Sequence, residues 1–223
     1  MIFLPRLDIL PEPQLRLWRE LSATPAPFVL YGGTAIALLL GHRNSVDFDF
    51  FGDQPLDPER LALGIPYLSD AVVTQRAPNT LSCVVDRGGP VKLSFFGVPR
   101  LPRLRAPFIA SDNGLRVASL LDLFGAKAAV IQLRAEAKDY WDIDALLRDG
   151  RVDLPMALAG AQAMYGATFN PQVTLKALSY FDDGALSALP KKLKSRLARA
   201  VSTVDLNRLP KVTPSGEKGT PKR

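Results

Sequence analysis

The segment Val46-Asp47-Phe48-Asp49-Phe50-Phe51 sets two carboxylates into a run that is otherwise apolar. Alternation along a strand sends Asp47 and Asp49 to one face and predicts Val46, Phe48 and Phe50 on the other, in the core. Two like charges separated by roughly 6.6 Å of strand rise need a counter-charge. That spacing lets both carboxylates reach one cation, or two cations about 3.5–4 Å apart. An isolated pair of this kind is more often the polar outer face of an edge strand. The preceding residues argue for a cation instead. Thirteen residues separate Gly33, of the pair Gly32-Gly33, from Asp47, with a short apolar helix predicted between them. A glycine turn leading into a helix lets backbone N–H groups approach phosphates, and a helix N-terminus favours anions. Thr34 and Ser45 add hydroxyl donors. An anion cradle one helix away from a cation site is the pairing needed to hold an NTP as its metal complex.

The rest of the composition narrows the metal. The chain has one histidine, His42, and one cysteine, Cys83. These cannot build a zinc site, so the ligands are hard oxygens, and those select Mg²⁺ or Mn²⁺. A single cysteine permits no disulfide within the chain, which suits a reducing cytoplasm, and Cys83 itself reads as core packing. No apolar run approaches the roughly 20 residues of a membrane span. The N-terminal Ile-Phe-Leu-Pro lacks the basic flank and long apolar stretch of a signal peptide. The net charge of +6 is concentrated in residues 99–105, 191–199 and 208–223. Such a charge serves solubility, or it meets a polyanion such as nucleic acid or nucleotide.

Periodicity divides the chain. Helices are predicted over 11–22, 35–41 and 56–64, the last with Asp57 as N-cap and Pro58 at its first position. Strands are predicted at 28–31, 46–51, 80–86 and 91–97, the last two joined by the Arg87-Gly88-Gly89 turn. Beyond about residue 100 the spacing is helical: 119–134 with Ser119 and Asp122 placed as a capping box, 138–150 with Asp139 as a candidate N-cap, then 155–166, 171–183 and 190–201. The expected fold is α+β. A small mixed β-sheet core with helices spans 1–110, a helical half spans 111–207, and a basic, disordered tail spans 208–223.

Gly-Gly followed by Asp-Phe-Asp-Phe at this spacing resembles the DNA polymerase β-type nucleotidyltransferase superfamily. More closely, residues 31–51 resemble the AbiEii/AbiGii toxin family, which includes the MenT toxins. Three later stretches fit it: Val91–Phe96, residues 122–147 and residues 177–190. The resemblance implies Mg²⁺-dependent transfer of NMP from NTP, with RNA, the tRNA 3′ acceptor end, as substrate. It also implies a cognate winged-helix antitoxin as partner in a type IV toxin–antitoxin system. Gly32, Gly33, Asp47 and Asp49 take the phosphate and metal roles by motif match, and Lys127 takes that of the family's lysine at the nucleotide. The chain departs from the superfamily at Ser94, where a third carboxylate is usual in the strand after the pair. Asp86 is one candidate to replace it. Two other readings therefore stand beside the first: transfer to a protein or small-molecule hydroxyl, and a catalytically weak nucleotide-binding protein of the same fold.

Lys127 and Arg134 lie seven residues apart in the apolar stretch 119–134, which on one continuous helix puts them on one face. Such cations commonly snorkel over apolar surface. Beside an NTP site, Lys127 is expected to act on the triphosphate and Arg134 to assist binding. On that reading, removing Lys127 should hardly move the thermal midpoint.

Overall fold

The structure is a computed structural model that describes residues 1–99 and 101–215. It forms two compact units, one of residues 1–101 and 107–118, the other of 102–106 and 119 onward. The boundary follows Ala118 because two strands near residue 110 complete the first unit's sheet.

In the first unit, β1 (Ile2–Phe3) and α1 (Glu12–Trp18) precede β2 (Val29–Tyr31), α2 (Gly32–Leu40) and β3 (Phe48–Gly52). Then come α3 (Pro58–Gly64), β4 (Val72–Ala77), β5 (Thr80–Asp86), β6 (Pro90–Gly97), β7 (Phe108–Ala110) and β8 (Arg116–Val117). The eight strands make one mixed sheet in the order β1-β7-β8-β2-β3-β6-β5-β4. The parallel pair β3–β6 lies in its interior, with Phe50 opposite Phe95 and their rings stacked at 5.0 Å. Phe48, Phe50, Leu93 and Phe95 are fully buried on one face.

Local chemistry sets the element ends. Asp57 caps α3, accepting from the Glu59 and Arg60 N–H groups, and Pro58 begins the helix. The β5–β6 hairpin closes because one Asp86 oxygen accepts from the Gly88 and Gly89 N–H groups, each at 2.8 Å. Gly41 ends α2 in the left-handed conformation, φ +64°. Four strands lie outside the sequence expectation: β1, β4, β7 and β8. Each of β1, β7 and β8 is three residues or fewer, too short to show a period.

The second unit holds α4 (Leu120–Val130), α5 (Ala137–Asp149), α6 (Leu154–Tyr165), α7 (Pro171–Ala177) and α8 (Lys191–Ser202). Helices α4 and α6 approach closely through glycine. A Cβ on Gly125 would meet the Ala161 nitrogen of α6 at 3.1 Å, and one on Gly160 would meet Leu121 Cδ1 of α4 at 3.2 Å. The Ser119 hydroxyl caps α4, accepting from the Asp122 N–H. The return half of the capping box does not form. The Asp122 carboxylate instead accepts from the Ser119 hydroxyl and from the Leu104 and Arg105 N–H groups. Burial raises its pKa, and these bonds offset part of the rise. Residues 208–215 return along this unit, where Ser215 donates to the carbonyls of Leu104 and Arg103. The remainder of the predicted tail, 216–223, lies outside the described residues. Among the described residues no helix is long and apolar enough to cross a membrane.

Candidate active site

In the first unit the two aspartates sit at the N-terminal end of β3. Asp49 is the second residue of the strand, paired with Tyr31 of β2 on one side and Ser94 of β6 on the other. Asp47 precedes the strand and is exposed. The strand is shorter at this end than its sequence predicts, and Val46, expected in the core, is 47% exposed. The reason is tertiary: the backbone of 45–47 is occupied by bonds to helices rather than to a neighbouring strand. The Thr34 hydroxyl, at the start of α2, lies in hydrogen-bond contact with both the Ser45 hydroxyl (2.8 Å) and the Asp47 carbonyl. From α1, the Gln14 amide donates to the Val46 carbonyl at 3.2 Å. The Ser45 N–H donates to the Ile9 carbonyl. Thr34 and Ser45 are buried, so their hydroxyls hold the loop that carries Asp47.

Gly32 is fixed by two constraints. Its φ is +75°, and a Cβ there would lie 2.9 Å from Asp49 Oδ2. Only glycine meets both without strain. The first turn of α2 has no side-chain cap at Tyr31, so the N–H groups of Gly32 and Gly33 begin the helix beside the Asp49 carboxylate. The glycine turn and the aspartate pair, one helix apart in sequence, thus adjoin in space.

Ser94 is 4% exposed, sits in register with Asp49, and receives a long 3.4 Å hydrogen bond from the Ser82 hydroxyl. The strand pairing expected from the sequence is present, and the position of the usual third carboxylate is occupied by a buried hydroxyl. Asp86 does not replace it. It lies four residues along β5 from the Ser82–Ser94 pair, about 13 Å by strand rise, and it closes the hairpin turn. Among the described residues no cluster of three or more His, Cys, Asp or Glu side chains could hold a metal. Two carboxylates still suit Mg²⁺, which commonly keeps several waters and takes one or two protein carboxylates together with substrate phosphates.

In the second unit Lys127 is buried, 5% exposed, and does not snorkel. Its ammonium bonds Asp139 at 2.6 Å and Asp142 at 2.7 Å, and both carboxylates are fully buried. Arg134 donates to Asp139 through Nε (2.8 Å) and a terminal nitrogen (3.2 Å). Helix α4 ends at Val130, so Arg134 is not on it. Lys127 and Arg134 meet through a shared carboxylate rather than a shared helical face. Asp139 is not the N-cap of α5, a place taken by Glu136. Burial pushes the Asp139 carboxyl up, but the Arg134 hydrogen bond and the Lys127 charge outweigh it and hold its pKa below the usual range. Removing Lys127 would leave two buried carboxylates undercompensated, so the expectation of an unmoved thermal midpoint is corrected. Asp139 and Asp142 were legible from the sequence as acids that cap the helix or orient the basic groups, and the pairing with Lys127 is the second of these. The clamp by Gln14 was not drawn from the sequence, and nothing local signals it.

A family model for the nucleotidyl transferase AbiEii toxin of type IV toxin–antitoxin systems matches residues 16–212. An uncharacterized protein of Aquifex aeolicus (strain VF5), aq_aa25, is 33% identical over 158 residues, covering 70% of this chain and 74% of its own length. Among solved structures, MenT4, a nucleotidyltransferase toxin of Mycobacterium tuberculosis H37Rv, superposes with a TM-score of 0.58 at 16% identity, over 86% of this chain and 82% of its own. A protein from H. pylori named provisionally as a nucleotidyltransferase gives 0.53 at 18%, over 85% and 90%. At these identities the two structures share the fold.

Proposed function

The chain belongs to the AbiEii nucleotidyl transferase toxin family, and on that premise we propose that it transfers NMP from an NTP to an RNA hydroxyl, that of the tRNA 3′ acceptor end. The observation that carries this reading is the close approach of Gly32 to Asp49, which joins an uncapped helix start to the carboxylate pair. The N–H groups of Gly32 and Gly33 would hold the triphosphate oxygens at the start of α2. Asp47 and Asp49 would hold Mg²⁺ or Mn²⁺. When bound, the metal supplies Lewis-acid polarisation of a phosphoryl oxygen and neutralises developing charge. Lys127 has two of its three N–H donors on Asp139 and Asp142. Lys127 and Arg134 remain the second unit's candidates for contact with a phosphate. The RNA hydroxyl oxygen bonds to the α-phosphorus, the bond to pyrophosphate breaks, and the hydroxyl proton passes to an aspartate or to water. Thr34, Ser45 and Gln14 act behind the site, keeping Asp47 in place. A cognate antitoxin is the protein partner that this reading implies.

Ser94 favours a second reading, a nucleotide-binding protein with little turnover, because a serine hydroxyl is not a useful base near neutral pH. Incubation with each labelled NTP, total RNA and Mg²⁺, with an EDTA control, separates the two. Label in tRNA, lost in Asp47→Ala and Asp49→Ala, supports RNA transfer. NTP binding without transfer supports the second reading, and label only in protein or small molecules overturns RNA as substrate.

A further inference from the structure

Helix α8 carries five cations and no acid: Lys191, Lys192, Lys194, Arg196 and Arg199. Its apolar side, Leu193 and Leu197, is buried within the second unit. The outer side forms a shallow cleft of about 330 Å³ lined by Lys191, Lys192, Ser195, Arg196 and Arg199. Two of these cations occupy the first turn, where the helix dipole already places positive charge, so the arrangement is unfavourable by itself. Among the described residues, Lys191, Lys192 and Arg199 have no carboxylate in ion-pair range. Arg196 differs: the fully buried Asp144 accepts from its Nε at 2.6 Å and a terminal nitrogen at 2.8 Å. This bidentate contact fixes the guanidinium plane within the cleft and leaves its remaining N–H groups for a ligand. Asp144 also takes Arg148 at 3.0 Å, so the two arginines outnumber the one acid that anchors them.

From this face we infer that α8 binds the phosphodiester backbone of RNA. The inference rests on the reading of RNA as substrate and adds the surface that holds it. The cations line a helix face about 12 Å long, from residue 191 to 199 at 1.5 Å per residue, which fits a run of backbone phosphates. The chemistry does not fit a membrane, because the leucines that would enter it are already buried. It does not fit the core of a protein interface, which needs apolar or aromatic anchors where this face offers lysine, arginine, serine and alanine. The cleft contains no aromatic ring for a base, so binding here should be indifferent to sequence.

The test measures binding of bulk tRNA to the full chain from 50 to 200 mM KCl, and separately the transfer of labelled NMP to the same RNA. One variant is Lys191→Ala/Lys192→Ala/Arg199→Ala. A control, Arg16→Ala/Arg19→Ala/Arg60→Ala, removes the same charge from exposed positions of the first unit. The α8 variant should weaken RNA binding at least about tenfold and lower the slope of log K against log salt by about 3, one per phosphate contact. Its thermal midpoint should stay near that of the parent, and the control should bind RNA nearly as the parent does. Equal losses in the two variants, or unchanged binding by the α8 variant, would overturn the α8 surface even if NMP transfer to RNA occurs. Loss of affinity for inorganic triphosphate with RNA binding intact would overturn it as well. If the parent binds RNA through α8 yet labels none, the surface stands and the transfer reading fails.

Discussion

A methyl group on Gly32 would enter the space that Asp49 Oδ2 holds, 2.9 Å from the site of the Cβ, in a backbone conformation costly to any L side chain. Gly32→Ala should therefore lose about 1–2 kcal/mol of stability from the φ of +75° alone. It should also push the Asp49 carboxylate aside, abolishing transfer; parent-like activity with a lowered midpoint would separate the glycine from the site. Gln14 tests the loop of Asp47. Its amide holds the Val46 carbonyl while its own oxygen is buried without a partner. Gln14→Leu exchanges one orphaned acceptor for another, so stability should change by about 1 kcal/mol or less. The Mg²⁺ concentration giving half-maximal activity should rise, and an unchanged Mg²⁺ dependence would exclude a positioning role. At Ser94, alanine removes only the long bond from Ser82 and should leave activity nearly intact. Ser94→Asp puts a third carboxylate beside Asp49. Its thermal midpoint without metal should fall, and Mg²⁺ or Mn²⁺ should raise it more than in the parent. A midpoint indifferent to metal would place the cation elsewhere.

Helices α4 and α5 are joined by charge as well as by apolar packing. Lys127 on α4 faces Asp139 and Asp142 on α5, and all three side chains are buried. Removing one member of such a cluster leaves charge without a partner, so Lys127→Ala should cost about 3–5 kcal/mol. Lys127→Met, of similar volume but uncharged, should be no better, since the acids remain. The pH dependence has a definite sign. Asp139 has a folded pKa below its unfolded value of about 3.9. Its contribution is complete above that value and is lost as pH falls through the folded pKa. Asp122, raised by burial, acts oppositely: its ionised form is disfavoured in the fold, and that penalty is absent at low pH. The gap in thermal midpoint between parent and Asp139→Asn should thus be widest near neutrality and shrink below about pH 4. A gap independent of pH would show that Asp139 acts through shape alone.

At the scale of the whole molecule, ligand linkage provides the check. If the glycine turn and the aspartates hold the metal–nucleotide complex, NTP with Mg²⁺ should stabilise the chain by about 2.7 kcal/mol at a hundred times its Kd. At roughly 2–4 °C per kcal/mol for a chain of this length, that is a shift of several degrees in a thermal melt. NTP with EDTA, or NTP with Mg²⁺ on Asp47→Ala/Asp49→Ala, should give little of it. A full shift in the double variant would mean that the nucleotide binds away from β3.

The sequence by itself determined the features that depend on neighbours along the chain. Gly32 and Gly33 announced a turn into a helix, Asp57-Pro58 a helix start, and Arg87-Gly88-Gly89 a hairpin. The alternation in residues 80–97 set two strands whose register then brought Ser94 beside Asp49. Each is legible because capping, turns and pleat alternation act within a few residues. Strand β4 was legible in part: Val72-Val73-Thr74 precedes a turn with Asn79 at φ +59°, a conformation asparagine tolerates. What tertiary structure decided is what distant segments supply. Val46 left the core because Gln14 and Thr34, 32 and 13 residues from their partners in sequence, captured the backbone that would have extended β3. Arg134 reached Asp139 because α4 stopped at Val130 and the chain turned. Lys127 became a buried partner of two acids, not a cation over apolar surface, because α5 packs where solvent would have been. A hydrogen bond or ion pair between distant residues leaves no period in a sequence, so only the folded chain can show it.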